Sequence, residues 1–203
     1  MKTNSQTKFL SENYSALHGL NAVPVGFALF LVSLWANVVQ YPITNFLLPI
    51  VLVLGFLLLS LVIDKYYKNT FGEVKPISAR RRFYWIASSI WGLLGLVAYW
   101  VDITLGLPMS FIGLLFALMF LFDQPKVSVP LNRFSAVRLV ASLCIIFVSI
   151  TPMLFGKSWW DILGVRTTII GVTMFIGVLI VLQGVMWHIF FVKSLPVKET
   201  KDE

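Results

Sequence analysis

Residues Thr167 to Val192 read TTIIGVTMFIGVLIVLQGVMWHIFFV and contain no Asp, Glu, Lys or Arg. A helix rises about 1.5 Å per residue, so about 20 apolar residues are needed to cross the hydrocarbon core of a bilayer. This run is long enough and apolar enough to form a transmembrane helix.

Five further apolar runs precede it, and the six together predict an all-α, polytopic integral membrane helical bundle. The runs cover 23–40, 43–63, 83–101, 105–122, 135–155 and 167–192. Pro42 separates the first two because proline breaks a continuous helix, and Gly106 with Pro108 favours a turn between the third and fourth. None of the runs alternates polar and apolar residues as a membrane β-strand does. We predict six transmembrane helices arranged as three consecutive hairpins.

The composition supports the same class. Of 203 residues, 58% are hydrophobic and 12% are charged, which excludes a soluble enzyme and a disordered chain. The net charge of +7 does not indicate nucleic acid binding, because the basic residues lie in short segments between apolar runs and not on a polar domain surface. Cys144 is the single cysteine, so the chain cannot form an internal disulfide.

The distribution of basic residues predicts the orientation. In the six-helix topology, all Lys and Arg residues except Lys157 and Arg166 fall on one side, and the positive-inside rule makes that side cytoplasmic. We therefore expect a cytoplasmic N-terminal segment (1–22), a membrane domain (23–192) with a cytoplasmic basic loop (64–82), and a cytoplasmic tail (193–203). The expected location is the bacterial plasma (inner) membrane, with both termini in the cytoplasm.

The basic loop 64–82 is the most distinctive polar segment, and it mixes aromatic and basic side chains. Such a segment can dock a protein partner or hold the anionic lipids of the cytoplasmic leaflet. It can equally be a basic loop that only fixes topology. The candidate contact residues are Tyr66, Tyr67, Phe71, Arg80, Arg81 and Arg82.

Two strongly polar residues near the inner end of the last run are candidates for a polar intramembrane site. His188 shares a helical stripe with Gly177 and Gly184, so it either faces a crevice as a gating or proton-sensing group or lies above a glycine-lined helix contact. Gln183 is most simply a hydrogen-bond donor between helices. Arg138, at the start of the fifth run, is expected to extend to the interface.

Small residues at helical spacing predict faces where helices approach closely. Whether these contacts lie within the chain or between subunits stays open. The residues are Ser88, Gly92, Gly95 and Tyr99 in the third run, and Gly113 and Ala117 in the fourth.

The search for catalytic motifs is negative. The sequence has no G-x-S-x-G, H-E-x-x-H, Walker A or C-x-x-C pattern, and its two histidines, His18 and His188, are far apart. We predict no catalytic residue, no metal site and no cofactor.

Three hypotheses of function follow. The favoured one is a non-enzymatic membrane subunit or accessory protein with a membrane or cytoplasmic protein partner. The alternative is a small oligomeric transporter or channel for a neutral or lipid-like solute. The least favoured is a membrane-embedded lipid-modifying enzyme that uses Asp64, Asp123 or His188.

Overall fold

The computed structural model describes residues 19–39, 47–71, 78–122, 132–155 and 159–194, and these residues form helices and turns with no β-strand. The all-α class is therefore confirmed. The elements are a 3₁₀ turn (Gly19–Asn21), α1 (Ala22–Val38), α2 (Leu47–Phe71), α3 (Ser78–Leu105), α4 (Phe111–Phe122), α5 (Asn132–Phe155), the short α6 (Trp159–Ile162) and α7 (Thr168–Ser194).

Each of the six predicted runs overlaps one of the long helices, but not all of these helices are equally suited to crossing a membrane. Among the described residues, four segments are long and apolar enough: Gly19–Val38, Pro49–Thr70, Ala136–Phe155 and Thr168–Lys193. The apolar parts of α3 and α4 are shorter. The 12 residues of α4 extend about 18 Å, which is less than the thickness of the hydrocarbon core.

The predicted loop 64–82 is largely helical. Helix α2 continues through Asp64 to Phe71, and α3 already begins at Ser78, so only residues 72–77 lie outside the described part of this segment. The extra turns of α2 contain no Gly or Pro, and an ion pair of 2.6 Å between Lys68 and Asp64, one turn apart, supports them.

Helices α1 and α7 pack antiparallel and very closely. A Cβ atom on Gly26 would lie 2.6 Å from the carbonyl oxygen of Gly177, and one on Gly177 would lie 2.7 Å from that of Gly26. A similar approach joins Gly19 and Gly184, where a Cβ on Gly184 would lie 2.6 Å from the oxygen of Gly19. Only glycine allows two backbones to come this close. We call these four residues the glycine seam.

The rest of the bundle is arranged around α7. Helix α1 packs on one side of it and α4 and α5 on the other, while α2 packs against α1 and α3 against α4. The helices of each predicted hairpin are in contact, as α1 with α2, α3 with α4, and α5 with α7. The buried core contains Ala117, Ile145, Val172 and Ile176.

For one predicted small-residue face, the structure shows whether the helix contact lies within the chain or is left for another subunit. Ala117 is fully buried, and a Cβ on Gly113 would lie 2.7 Å from the side chain of Val172. The Gly113 and Ala117 face of α4 is therefore a contact within the chain.

Candidate functional site

Two of the predicted site residues meet at one end of the bundle. The hydroxyl oxygen of Tyr67 on α2 lies 2.7 Å from Nδ1 of His188 on α7. The backbone N–H of Leu20 donates to the same hydroxyl oxygen, at 3.4 Å. The Tyr67 hydroxyl can donate to Nδ1 or accept from Nδ1–H while it accepts from Leu20, and the tautomer of the imidazole decides which of the two occurs.

Tyr67 is an internal residue and not the surface contact that we predicted. Its side chain is fully buried, and its ring packs edge-on against the rings of His188 and Phe191, at centroid distances of 5.7 Å and 6.0 Å. The neighbouring Tyr66 is half exposed. Since adjacent positions on a helix point in different directions, only one tyrosine of the pair can face the bundle.

Gln183 lies beside a buried cation. In the orientation that satisfies its neighbours, the carboxamide oxygen of Gln183 accepts from Nε of Arg138 at 3.2 Å and from Nε1 of Trp187 at 3.1 Å. The guanidinium carbon of Arg138 lies 5.3 Å from the centroid of the Trp187 ring. Gln183 thus joins α7 to α5 as a hydrogen-bond acceptor, whereas the sequence suggested a donor.

Arg138 itself differs from the expectation that it extends to the interface. Its side chain is only 8% exposed, because α5 packs against α7 and the Trp187 ring offers a face that attracts a cation. We refer to Tyr67, Arg138, Gln183, Trp187 and His188 as the polar cluster.

The hydrogen bonds of the polar cluster join α2 to α7 and α5 to α7. A general acid–base site needs a base and a third group that orients it, yet no described carboxylate hydrogen-bonds to His188. Asp64 forms an ion pair with Lys68, and Asp123 lies outside the described residues. Within the described part of the chain, no group of three His, Cys, Asp or Glu side chains could hold a metal ion.

The remaining candidates can be located only in part. Phe71 is the last residue of α2, and Arg80, Arg81 and Arg82 belong to the first turns of α3. Their side chains lie outside the described part of the structure, so the predicted contact with lipid or a partner is not tested at these positions.

At the opposite end of the bundle, Arg166 holds the end of α1. Its guanidinium donates to the carbonyl oxygens of Val39 at 3.0 Å and Val38 at 3.3 Å. Its backbone N–H donates to Oδ1 of Asn37 at 2.9 Å, and Nδ2 of Asn37 donates to the carbonyl of Gly164 at 3.3 Å. The last carbonyls of a helix have no partner within the helix, and Arg166 supplies one. We call this the Arg166 end, and the other the His188 end.

Asp102 binds the free backbone N–H groups in the first turn of α4. Its carboxylate accepts from the backbone N–H groups of Phe111 at 2.6 Å and Ile112 at 3.1 Å, and from the hydroxyl of Ser110 at 3.0 Å. Oγ of Ser110 accepts in turn from the N–H of Gly113. This cap was not predicted from the sequence, although a serine directly before an apolar run is a known signal for one.

An apolar cavity of about 430 Å³ lies between the helices towards the Arg166 end. Most of its wall comes from α1, α2 and α7, and α3 and α4 contribute one residue each. None of the described residues that line it is charged. They include Ala28, Ser33, Ala36, Leu57, Tyr99 and Thr173.

No protein-family model, no curated protein and no solved structure matches this chain. Its function therefore has to be inferred from the helices and side chains described above.

Proposed function

We propose that this chain is a non-enzymatic membrane subunit or accessory protein, and that it docks against another protein through an open side of α3. The observation that carries the proposal is the small-residue face of this helix, which the bundle leaves uncovered. Among the residues that the structure describes, no atom lies within 4 Å of a Cβ on Gly92, and a Cβ on Gly95 touches only Leu115, at 4.0 Å.

The surroundings of Gly92 support a docking surface of some size. Helix α3 packs mainly against α4, and large apolar side chains around Gly92 face outwards. These exposed side chains are Ile90, Leu93, Leu96, Val97 and Trp100. In membranes, small residues between large ones allow a second helix to approach closely and pack by van der Waals contact.

The proposal includes six membrane-spanning helices with both termini in the cytoplasm of a bacterium. Two observations support it. Gly19 and Gly184 are in contact, so α1 begins and α7 ends on the same side, as an even number of spans requires. The basic residues segregate to one side when α3 and α4 cross the bilayer as a pair, because losing one of them alone would reverse the side of every later segment. In this orientation the basic segments of that side face anionic lipid headgroups.

Photo-cross-linking from the open side of α3 tests the docking proposal. A photoreactive amino acid at position 92 should cross-link in native membranes to one other protein in stoichiometric yield. The matched control is position 136, where Ala136 is also exposed but lies on α5. Cross-links to lipid alone at both positions would contradict the proposal, and a product of two copies of this chain would favour the second function below.

The second candidate is a small oligomeric transporter for a neutral or lipid-like solute. The apolar cavity is the observation that favours it, because ligand sites are typically concave and mostly apolar. Ions are disfavoured as cargo because no lining residue is charged.

Transport is tested with the purified full chain in liposomes. Movement of a labelled lipid between leaflets, or release of a neutral solute, should exceed that of protein-free liposomes and should fall when Ala28 is replaced by Phe. Rates equal to those of protein-free liposomes would contradict the transporter proposal and leave the docking proposal intact.

A further inference from the structure

The walls that α1, α2 and α7 contribute to the apolar cavity offer nothing to a polar ligand, and the one further hydroxyl among the described lining residues is that of Tyr99 on α3. Ser33 and Thr173 are the hydroxyl-bearing aliphatic residues of these walls, and their oxygens lie 2.8 Å apart. The Thr173 hydroxyl also has the backbone carbonyls of Ile169 and Ile170 within 2.8 Å and 2.9 Å. These hydroxyls thus have partners within the protein, and the other groups along α1, α2 and α7 are hydrocarbon. An occupant that needs hydrogen bonds would lose them on entry.

The cavity is open to the side of the bundle. Leu57 on α2 and Tyr99 on α3 line it and are about half exposed, at 52% and 48%. The outward surface of α2 next to this opening is apolar, with Leu54, Leu58 and Leu61 more than half exposed. Cavity and outer surface form one continuous apolar region, so a chain in the surrounding hydrocarbon can enter without crossing a polar layer.

The volume of the cavity limits its occupant. About 430 Å³ is near the lower end of the range of about 300–1,000 Å³ for small-molecule sites. That space suits one flexible hydrocarbon chain and is too small for a complete lipid with its headgroup.

A cation lies at the Arg166 end of the cavity. The lining residue Ala36 is directly before Asn37, which binds the backbone of Arg166, and the lining residue Ile169 is less than one helical turn beyond Arg166 on the other wall. Arg166 is exposed. Two of its five side-chain N–H donors bond to the carbonyls of Val38 and Val39, and a guanidinium is well suited to bind phosphate.

We infer that the cavity binds one acyl chain of a phospholipid, with the phosphate group of that lipid at Arg166. The inference rests on the second proposed function, the transporter, and it names phospholipids as the substrate class. Binding and movement between leaflets are measured separately, so bound lipid without movement would overturn the transporter and leave the binding site standing.

The test uses the full chain in phosphatidylcholine vesicles that contain a trace of phosphatidic acid with a diazirine on its acyl chain. After irradiation and digestion, mass spectrometry locates the cross-links. In the unmodified protein they should concentrate on lining positions of α1, α2 and α7. Cross-links spread evenly over the exposed faces of α2 and α5 would overturn the inference.

Filling the cavity should remove the cross-links. Ala28→Phe places a ring in the space and should lower cross-linking to lining positions about tenfold, the equivalent of about 1.4 kcal/mol. Leu57→Trp blocks the cavity from its half-exposed wall, and serves as a second variant if Ala28→Phe does not fold. Ala136→Phe adds the same ring at an exposed site on α5 and should change nothing. Unchanged cross-linking in a folded cavity variant overturns the inference.

The contact between Arg166 and the phosphate is tested by comparing two lipids, one with a phosphate and one without. A diacylglycerol with the same photoreactive chain should cross-link about fivefold less than phosphatidic acid, as expected for one cation near a phosphate. Arg166→Gln should abolish that difference. Asn37→Ala, which loosens the same end of α1 but keeps the guanidinium, should preserve it. Equal labelling by both lipids in the unmodified protein overturns the role of Arg166.

Discussion

The hydroxyl oxygen of Tyr67 lies 2.7 Å from Nδ1 of His188, although the two residues are 121 positions apart in the chain. Helix α2 packs mainly against α1, and Tyr67 contacts α7 through this bond. One side-chain hydrogen bond therefore links the two helices that flank α1 at the His188 end.

Removing the Tyr67 hydroxyl should destabilise the bundle without changing its shape. Tyr67→Phe keeps the ring contacts with Phe191 but leaves Nδ1 of His188 and the N–H of Leu20 without this partner. We expect the free energy of unfolding in mixed micelles to fall by about 1 kcal/mol. Tyr66→Phe is the matched control, because Tyr66 is half exposed, and it should have little effect. Equal effects of the two substitutions would contradict the assigned bond.

The glycine seam should be intolerant of a single methyl group. Gly177→Ala adds a Cβ that would lie 2.7 Å from the Gly26 oxygen, so α1 and α7 must move apart, at a cost of roughly 1–3 kcal/mol. Thermal unfolding of the purified protein measures this loss.

Gly55 is the control for Gly177, because its position is open whereas that of Gly177 is closely packed. No atom of the described part of the chain lies within 4 Å of a Cβ added at Gly55 on α2, and alanine is the better helix former by about 1 kcal/mol. Gly55→Ala should therefore leave the unfolding temperature unchanged or raise it. A loss of stability at Gly55 as large as that at Gly177 would argue against the seam.

Asp102 should be required for the stability of the start of α4. Asp102→Ala removes the acceptor of the Phe111 and Ile112 N–H groups, and we expect a loss of about 1 kcal/mol, as for other helix caps. Hydrogen exchange should increase at these two amides before it increases elsewhere in α4. Asp161→Ala, at an exposed carboxylate in α6, is the control, and protection of α4 that is unaltered in Asp102→Ala would disprove the cap.

The six-span topology can be tested by labelling single cysteines in a Cys144→Ser background. A membrane-impermeant maleimide added to intact cells should label Ser158→Cys, between the fifth and sixth predicted spans, and Leu107→Cys, between the third and fourth. Glu73→Cys, between the second and third, should react only after the membrane is permeabilised. None of the substitutions removes a basic residue, so the positive-inside signal is preserved. Leu107→Cys would stay unlabelled from outside if α3 and α4 did not cross, and that result, or labelling of Glu73→Cys from outside, would exclude the proposed topology.

The helices were predictable from sequence because bilayer length and apolar composition are local properties. The ends of the helices were less predictable. Residues from Asp64 to Phe71 are polar enough to suggest a loop, yet nothing in them breaks a helix, and α2 continues through them. In this segment, polarity indicated where the apolar run ends and not where the helix ends.

Contacts between distant helices were predictable only where the residue types themselves, such as a stripe of glycines, indicate a close contact. The stripe of Gly177, Gly184 and His188 indicated a close helix contact, and the structure has it. The partner of His188 was not predictable, because whether Tyr66 or Tyr67 faces the bundle depends on the rotation of α2 about its axis. The burial of Arg138 depended in the same way on where α5 meets α7.

The glycine seam also determines when the protein can finish folding. It joins the first and the last of the described helices, and Ser33 and Thr173 along the same contact are 140 residues apart. At a translation rate of about 5–20 residues per second, α1 is synthesised on the order of ten seconds before α7. During that interval its glycines are covered by lipid or by the insertion machinery. A chain released before α7 is made therefore keeps its α1 glycines against lipid or the insertion machinery and lacks the close helix contact that α7 provides.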